Sequence, residues 1–182
     1  MSLPEIVLAD LGLAGAALLL IAAVRRWTGA AVRLPEALAR HRVLPGAAAG
    51  FGWFAEVAEV VAGATVVVAW LAGWPAGMRA GSAGMSVMYA LFAVYLTAVL
   101  RRNGRVPCLC LDRDTTVSGA TIMRAVALSL ASSALALGLA APPHTLLDRL
   151  VHLPGAALVA LLLVVLVEVT GALRAAQPRV GR

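Results

Sequence analysis

The chain has 182 residues, 62% of them hydrophobic and 13% charged, with a net charge of +6 and a mean hydropathy of +0.92. A soluble domain of this size needs more polar surface than that, so the composition excludes a water-soluble globular protein and points to an integral membrane protein. All fifteen basic residues are arginine and gather at the ends of apolar segments, which reads as membrane topology and contact with anionic lipid headgroups, not nucleic acid.

Five apolar segments follow one another, at about 5–24, 46–70, 83–100, 118–140 and 154–173. Each approaches the ~20 residues that a helix needs to cross the hydrocarbon layer. Helices are the expected form, because an open strand would leave unpaired backbone groups in lipid. The first segment carries Glu5 and Asp10 ahead of its apolar run and Arg25-Arg26 after it. That is the reverse of a secretory signal, so a retained first span is expected. Between the first two segments, "LPEALARHRVLP" at 34–45 has a proline near each end and a short helical pattern, as an interfacial helix would. Abundant Gly, Ala and Ser, including Gly12, Gly15, Gly63 and Ser129 to Ser133, suit close packing of helices in a membrane. The fold class expected is all-α, a polytopic transmembrane helical bundle with a four-helix core plus a fifth C-terminal span. The whole of 1–182 forms a single membrane domain, with no internal repeat.

The connections set an orientation. Arg25, Arg26, Arg33, Arg40 and Arg42 follow the first segment; Arg101, Arg102, Arg105 and Arg113 follow the third; Arg174, Arg179 and Arg182 follow the fifth. The opposite side has Arg79 and Arg149. The positive-inside rule then puts the N-terminus outside and the C-terminus in the cytoplasm. Trp27 and Trp53 would mark the inner interface and Trp70 and Trp74 the outer one.

Ionisable residues inside apolar spans point to function. Asp10 lies in the outer part of the first segment, Glu56 and Glu59 in the inner half of the second, Arg124 about two turns into the fourth, and Glu168 near the inner end of the fifth. At ~1.5 Å per residue, Glu59, Arg124 and Glu168 reach similar depth. Arg124 is therefore expected to pair with Glu59, Glu56 or Glu168 inside the bundle, forming a supporting polar core.

The two cysteines, Cys108 and Cys110, lie in "RRNGRVPCLCLDRDTT", between the third and fourth segments. Gly and Pro there mark a connection, with Thr116 or Ser118 as the expected cap of the next helix. A single pair excludes a multi-disulfide scaffold. Neighbouring Arg101, Arg102, Arg105 and Arg113 favour thiolate, and Asp112 and Asp114 oppose it. Three readings of the pair stand side by side. One is a reversible dithiol–disulfide couple, relatively oxidising because the ring closed by Cys-x-Cys is tight. The second is a metal site, but His41 is the one histidine on the predicted inner side, with His144 and His152 assigned to the outer connection. That falls short of the three or four ligands a site needs, so no metal is assigned. The third is inert packing of small apolar residues.

"HRVLP" before the second segment, "AEVVAG" (Ala58 to Gly63) within it, and "RNGRVPCLCLDRDTTVSGATIMRAVAL" from the third segment into the fourth resemble the MauE group, within the wider MauE/DoxX-like set of membrane proteins. The resemblance covers about residues 5–140. Gly104, Cys108, Cys110 and Arg124 match its pattern, whereas Leu109 stands where the family has glycine and Leu111-Asp112 where it has Phe-Gly. What the resemblance implies is a redox-associated protein of the bacterial inner membrane, with a four-helix core similar in style to membrane disulfide oxidoreductases. Such proteins are associated with maturation of disulfide-rich periplasmic enzymes such as methylamine dehydrogenase, often beside a thioredoxin-like partner, and DoxX-like relatives with quinone-dependent sulfur chemistry. On that basis Cys108 and Cys110 become the redox pair, Glu59 and Arg124 the polar core, and a thioredoxin-like protein, a partner redox enzyme or a quinone the counterpart. The rival function is a non-catalytic membrane subunit or scaffold for a partner redox enzyme. A transporter has little support, since no span shows an obvious mid-membrane break.

Overall fold

The computed structural model describes residues 2–41, 48–104, 106, 117–140 and 142–176. Cys108, Cys110, Thr116 and residues 42–45 of the expected interfacial helix lie outside the described residues, as does the side chain of Glu168. The described residues form six helices and no strand: α1 (Leu3–Trp27), α2 (Leu34–His41), α3 (Ala48–Ala72), α4 (Pro75–Asn103), α5 (Gly119–Ala136) and α6 (Leu146–Ala176). Five stretches are long and apolar enough to cross a membrane: Leu3–Trp27, Gly50–Ala72, Pro75–Asn103, Gly119–Ala136 and Leu146–Val165. This is a polytopic helical membrane protein, as the composition requires.

Local chemistry explains most of the helix limits. Pro4 occupies the first turn of α1, where its missing N–H removes nothing, and the Ser2 backbone N–H donates to Glu5 Oε2 at 2.6 Å. α4 begins eight residues before the apolar run suggests, because Pro75 opens it and carries Ala76 to Gly81 into regular helix. Gly73 makes the turn between α3 and α4 in the left-handed region, at φ 64°. Ser118 caps α5, its hydroxyl accepting from the Thr121 N–H at 3.4 Å. α6 begins before Pro154 and continues through it, so His152 belongs to a helix and not to an outer connection.

α1 lies at the centre, against α3 on one side, α5 on another and α6 on a third, while α4 packs between α3 and α5. α6 rests mainly on α1. α1, α3, α4 and α5 thus form a core with α6 added at the rim. The core is built from Leu13, Leu19, Val66, Trp70, Met78, Met85, Leu128 and Leu135, all buried. Apolar side chains such as Val68, Val94, Leu130 and Leu161 face outward, as lipid-exposed positions should.

Trp70 departs from its expected place in an interfacial belt. It is fully buried, donates its indole N–H to the Arg149 carbonyl at 3.1 Å, and meets the His152 ring edge-on. The start of α6 folds over it and supplies the polar partner that an indole needs in an apolar setting. Trp27, Trp53 and Trp74 are exposed.

Candidate functional site

The polar core forms where the C-terminal turn of α1, the short α2 and the first half of α3 meet. On α1, Leu19, Ala22, Ala23 and Arg26 fall three or four residues apart and all face inward. On α3 the same spacing aligns Ala55, Glu56, Glu59, Ala62 and Val66. Arg26, Glu56 and Glu59 are 3%, 2% and 9% exposed, so all three charges are withdrawn from solvent.

Their contacts are specific. An Nη of Arg26 donates to Glu59 Oε2, and its Nε lies 3.5 Å from Glu56 Oε1, an ion-pair contact without a hydrogen bond. Glu56 also accepts from Arg33 Nη1 at 3.0 Å and from the Leu34 backbone N–H at 2.8 Å. Leu34 opens α2, so Glu56 satisfies an N–H left without a partner at that helix end, where the helix dipole favours negative charge. Gly52 makes the approach possible: a Cβ there would lie 2.7 Å from the Pro35 nitrogen.

Arg124 pairs with neither Glu56 nor Glu59, two of the three partners expected for it; the side chain of the third, Glu168, lies outside the described residues. Among the described residues Arg124 makes no ion pair, because Glu56 and Glu59 are occupied by Arg26 and Arg33. Arg124 and Glu59 line one small cavity of about 50 Å³, together with Arg26, Tyr89, Phe92 and Leu128. Tyr89 is tied back to α1 by its hydroxyl, which donates to the Gly15 carbonyl at 2.7 Å.

A larger cavity of about 250 Å³ lies beside it, between α3 and α4, with Leu34 and Leu38 of α2 as its floor. Phe51, Leu91 and Val94 stand at its outer side and are exposed; Ala55 and Glu59 lie at its inner side and are buried. Leu34, Glu59, Met88 and Phe92 line both cavities, so the two adjoin at Glu59. Tyr95 also lines the larger one, with its hydroxyl 2.5 Å from Nδ1 of buried His41.

The cysteine-bearing segment is attached at this same end. Its flanking residues are joined, the Val117 N–H donating to the Val106 carbonyl at 2.8 Å. Val117 is fully buried against Leu96 and Val99, with Val106 and Ile122 beside them. Asn103 closes α4 and donates to the His41 carbonyl at 2.6 Å, which fixes the end of α4 to α2. At the other end of the bundle, Asp10 Oδ1 lies 2.9 Å from His152 Nδ1. There Arg149 donates to the Leu71, Pro143 and His144 carbonyls at 3.0, 2.6 and 2.9 Å. No group of three or more metal-ligating side chains occurs among the described residues.

Sequence reasoning found Glu56, Glu59 and Arg124 but missed Arg26, Arg33, Tyr89 and the His41–Tyr95 pair. Arg25-Arg26 at the end of an apolar run reads as a topology signal. The three- and four-residue spacing from Leu19 and Ala22 was the sign that Arg26 turns inward.

A search of the curated proteins gave no match, and a search of the solved structures gave none. The family model described as methylamine utilisation protein MauE matches residues 4–141, which take in α1 to α5. The chain belongs to the MauE family.

Proposed function

We propose that this chain is a membrane thiol–disulfide redox protein in which Cys108 and Cys110 are the exchanging pair, supporting electron transfer to, or maturation of, a disulfide-containing partner enzyme. In the forward step the two thiols lose two protons and two electrons and one S–S bond forms. The reverse step consumes the dithiol of a thioredoxin-like protein and leaves that protein's disulfide. The observation that supports the reading is the Val106–Val117 hydrogen bond, which joins the ends of the cysteine-bearing segment over the buried Leu96–Val99 cluster, against which Phe92 and Tyr95 of the cavity wall also pack. Glu56, Glu59 and Arg124 act in this reading as supporting groups, with Glu168 the fourth member named from sequence.

The counterpart for the electrons is a thioredoxin-like protein or a membrane quinone. A quinone needs an apolar approach and hydrogen-bond donors for its carbonyls; the cavity between α3 and α4 offers the first, and the Arg26 and Arg124 guanidinium groups of the adjoining smaller cavity offer the second. When bound, such a group accepts two electrons and two protons. The protein lies in the bacterial inner membrane with the cysteine-bearing segment and the C-terminus in the cytoplasm, on the arginine-rich side.

A membrane-impermeant maleimide applied to intact cells and to inverted vesicles tests both claims. Labelling in inverted vesicles only, increased by reductant, is expected. Labelling in intact cells overturns the orientation, and labelling indifferent to reductant and oxidant overturns the exchange.

A further inference from the structure

Arg124 is a cation in a membrane-spanning helix, and the two buried carboxylates of the described polar core already have partners. Arg26 is shared between Glu56 and Glu59, and Arg33 is held by Glu56. Glu56 and Glu59 are thus satisfied by buried Arg26 and by Arg33, whose side chain is 44% exposed, and Arg124 makes no ion pair among the described residues. A cation in this setting is costly unless an acceptor meets it.

The cavities show where such an acceptor enters. Phe51, Leu91 and Val94, at the outer side of the larger one, are 49%, 50% and 68% exposed on helices that cross the membrane, so its mouth faces hydrocarbon. From there an apolar path between α3 and α4 leads past Ala55 and Met88 to Glu59. The smaller cavity continues from Glu59 to Arg124. Apolar walls with a few convergent polar groups at one end are the usual form of a small-molecule site. The larger cavity, at about 250 Å³, lies near the low end of the roughly 300–1,000 Å³ common for ligand pockets, enough for a ring-sized or carboxyl head with the tail left in lipid.

We infer that the slot between α3 and α4 binds a membrane amphiphile with an apolar tail and a head whose oxygen atoms accept hydrogen bonds from Arg124. The head is neutral or singly negative. The Arg124 guanidinium repels a cationic head, and the apolar lining of the slot disfavours a hydrated phosphodiester headgroup. Two sources share this chemistry, a lipid-soluble quinone and a fatty acid. The quinone case extends the acceptor named under the proposed function and rests on it, whereas occupancy of the slot does not require the cysteines.

The test uses the full chain in phosphatidylcholine nanodiscs, with decylubiquinone and oleate as separate probes and binding read by native mass spectrometry. At least one probe is expected to bind, and Ala98→Leu, which narrows the slot, should weaken it tenfold or more. Arg124→Gln should do the same, with Arg124→Lys restoring much of the affinity. Leu130→Phe, on a lipid-facing position away from the slot, should leave binding unchanged. Thermal unfolding of each variant is followed in parallel, and Ala98→Leu stands as the deciding variant if Arg124→Gln does not fold. Binding of decylubiquinone identifies a neutral acceptor head, and binding of oleate alone identifies an anionic one. Failure of both probes to bind, or binding indifferent to Ala98→Leu, overturns the site. Repeating the titration with Cys108→Ser/Cys110→Ser separates the two readings. Retained binding there keeps the slot even if thiol exchange fails, and loss of binding in the wild type leaves the thiol reading untouched.

Discussion

Arg26 at the end of α1 and Glu59 near the middle of α3, 33 positions apart in sequence, form a buried ion pair that locks the two helices together. Glu56 sits on the other side of the same guanidinium, so removal of Arg26 strands two carboxylates at once. Breaking a buried pair from one side leaves an uncompensated charge, a loss of about 3–5 kcal/mol. Arg26→Ala should therefore lower stability by that order, read as a marked drop in melting temperature in detergent. Adding Glu59→Gln to that variant should recover part of the loss. An Arg26→Ala protein that melts with the wild type would show that the pair carries no structural role.

The seating of α2 depends on Gly52. A Cβ at that position meets backbone atoms of Pro35 at 2.7 and 2.8 Å, and backbone cannot rotate away as a side-chain tip can. Gly52→Ala should push α2 off α3, lengthen the Leu34 N–H to Glu56 hydrogen bond, and cost about 1–3 kcal/mol, as overpacking usually does. Gly50→Ala is the matched control, since a Cβ there meets nothing within 4 Å. Faster hydrogen exchange across Leu34 to His41 in the first variant alone would report the displaced helix. Equal protection in both would remove the argument.

Five spans and a short helix between the first two were legible because run length and apolar content alone decide whether a helix can cross a bilayer. The ends of α4 and α6 were not. Arg79 and the glycines around it mask a helix that Pro75 starts, and Pro154 reads as a boundary although α6 continues through it. In the site, burial of Glu56 and Glu59 could be inferred from the rarity of lipid-facing carboxylates. Their partner could not, since Arg26, Arg33 and Arg124 are chemically alike and only the rotation of α1 selects among them. Trp70 shows the same limit, because nothing in its own neighbourhood announces that the start of α6 covers it.

Asp10 and His152 make the corresponding link for α6. Their side chains are 2.9 Å apart, and Gly155 lets Asp10 approach, since a Cβ there would lie 3.0 Å from Asp10 Oδ2. Polar contacts between membrane helices are individually modest, about 0.6 kcal/mol on average and at most about 1.7. Asp10→Ala should thus loosen α6 from α1 by that order and leave α1, α3, α4 and α5 together. Limited proteolysis should then cut between α5 and α6 faster, with the α1–α5 fragment surviving. Uniform acceleration across the whole chain would argue against a separately docked α6.

The cysteine pair makes the most direct prediction about chemistry. With one residue between them, Cys108 and Cys110 would close a tighter ring than Cys-x-x-Cys, and ring strain would destabilise the proposed disulfide relative to the dithiol. A redox titration with thiol alkylation should therefore give one two-electron transition, at a potential above the roughly −270 mV of thioredoxin. Oxidation should remove two alkylatable thiols from the wild type. Cys108→Ser and Cys110→Ser should each keep one thiol with no internal transition, and at least one of the two variants should accumulate a reductant-sensitive adduct with a thioredoxin-like protein. Leu109→Gly should ease the turn and lower the potential, because a relaxed disulfide is harder to reduce. A wild-type protein whose two thiols stay alkylatable across the whole titration range would reduce the pair to inert packing.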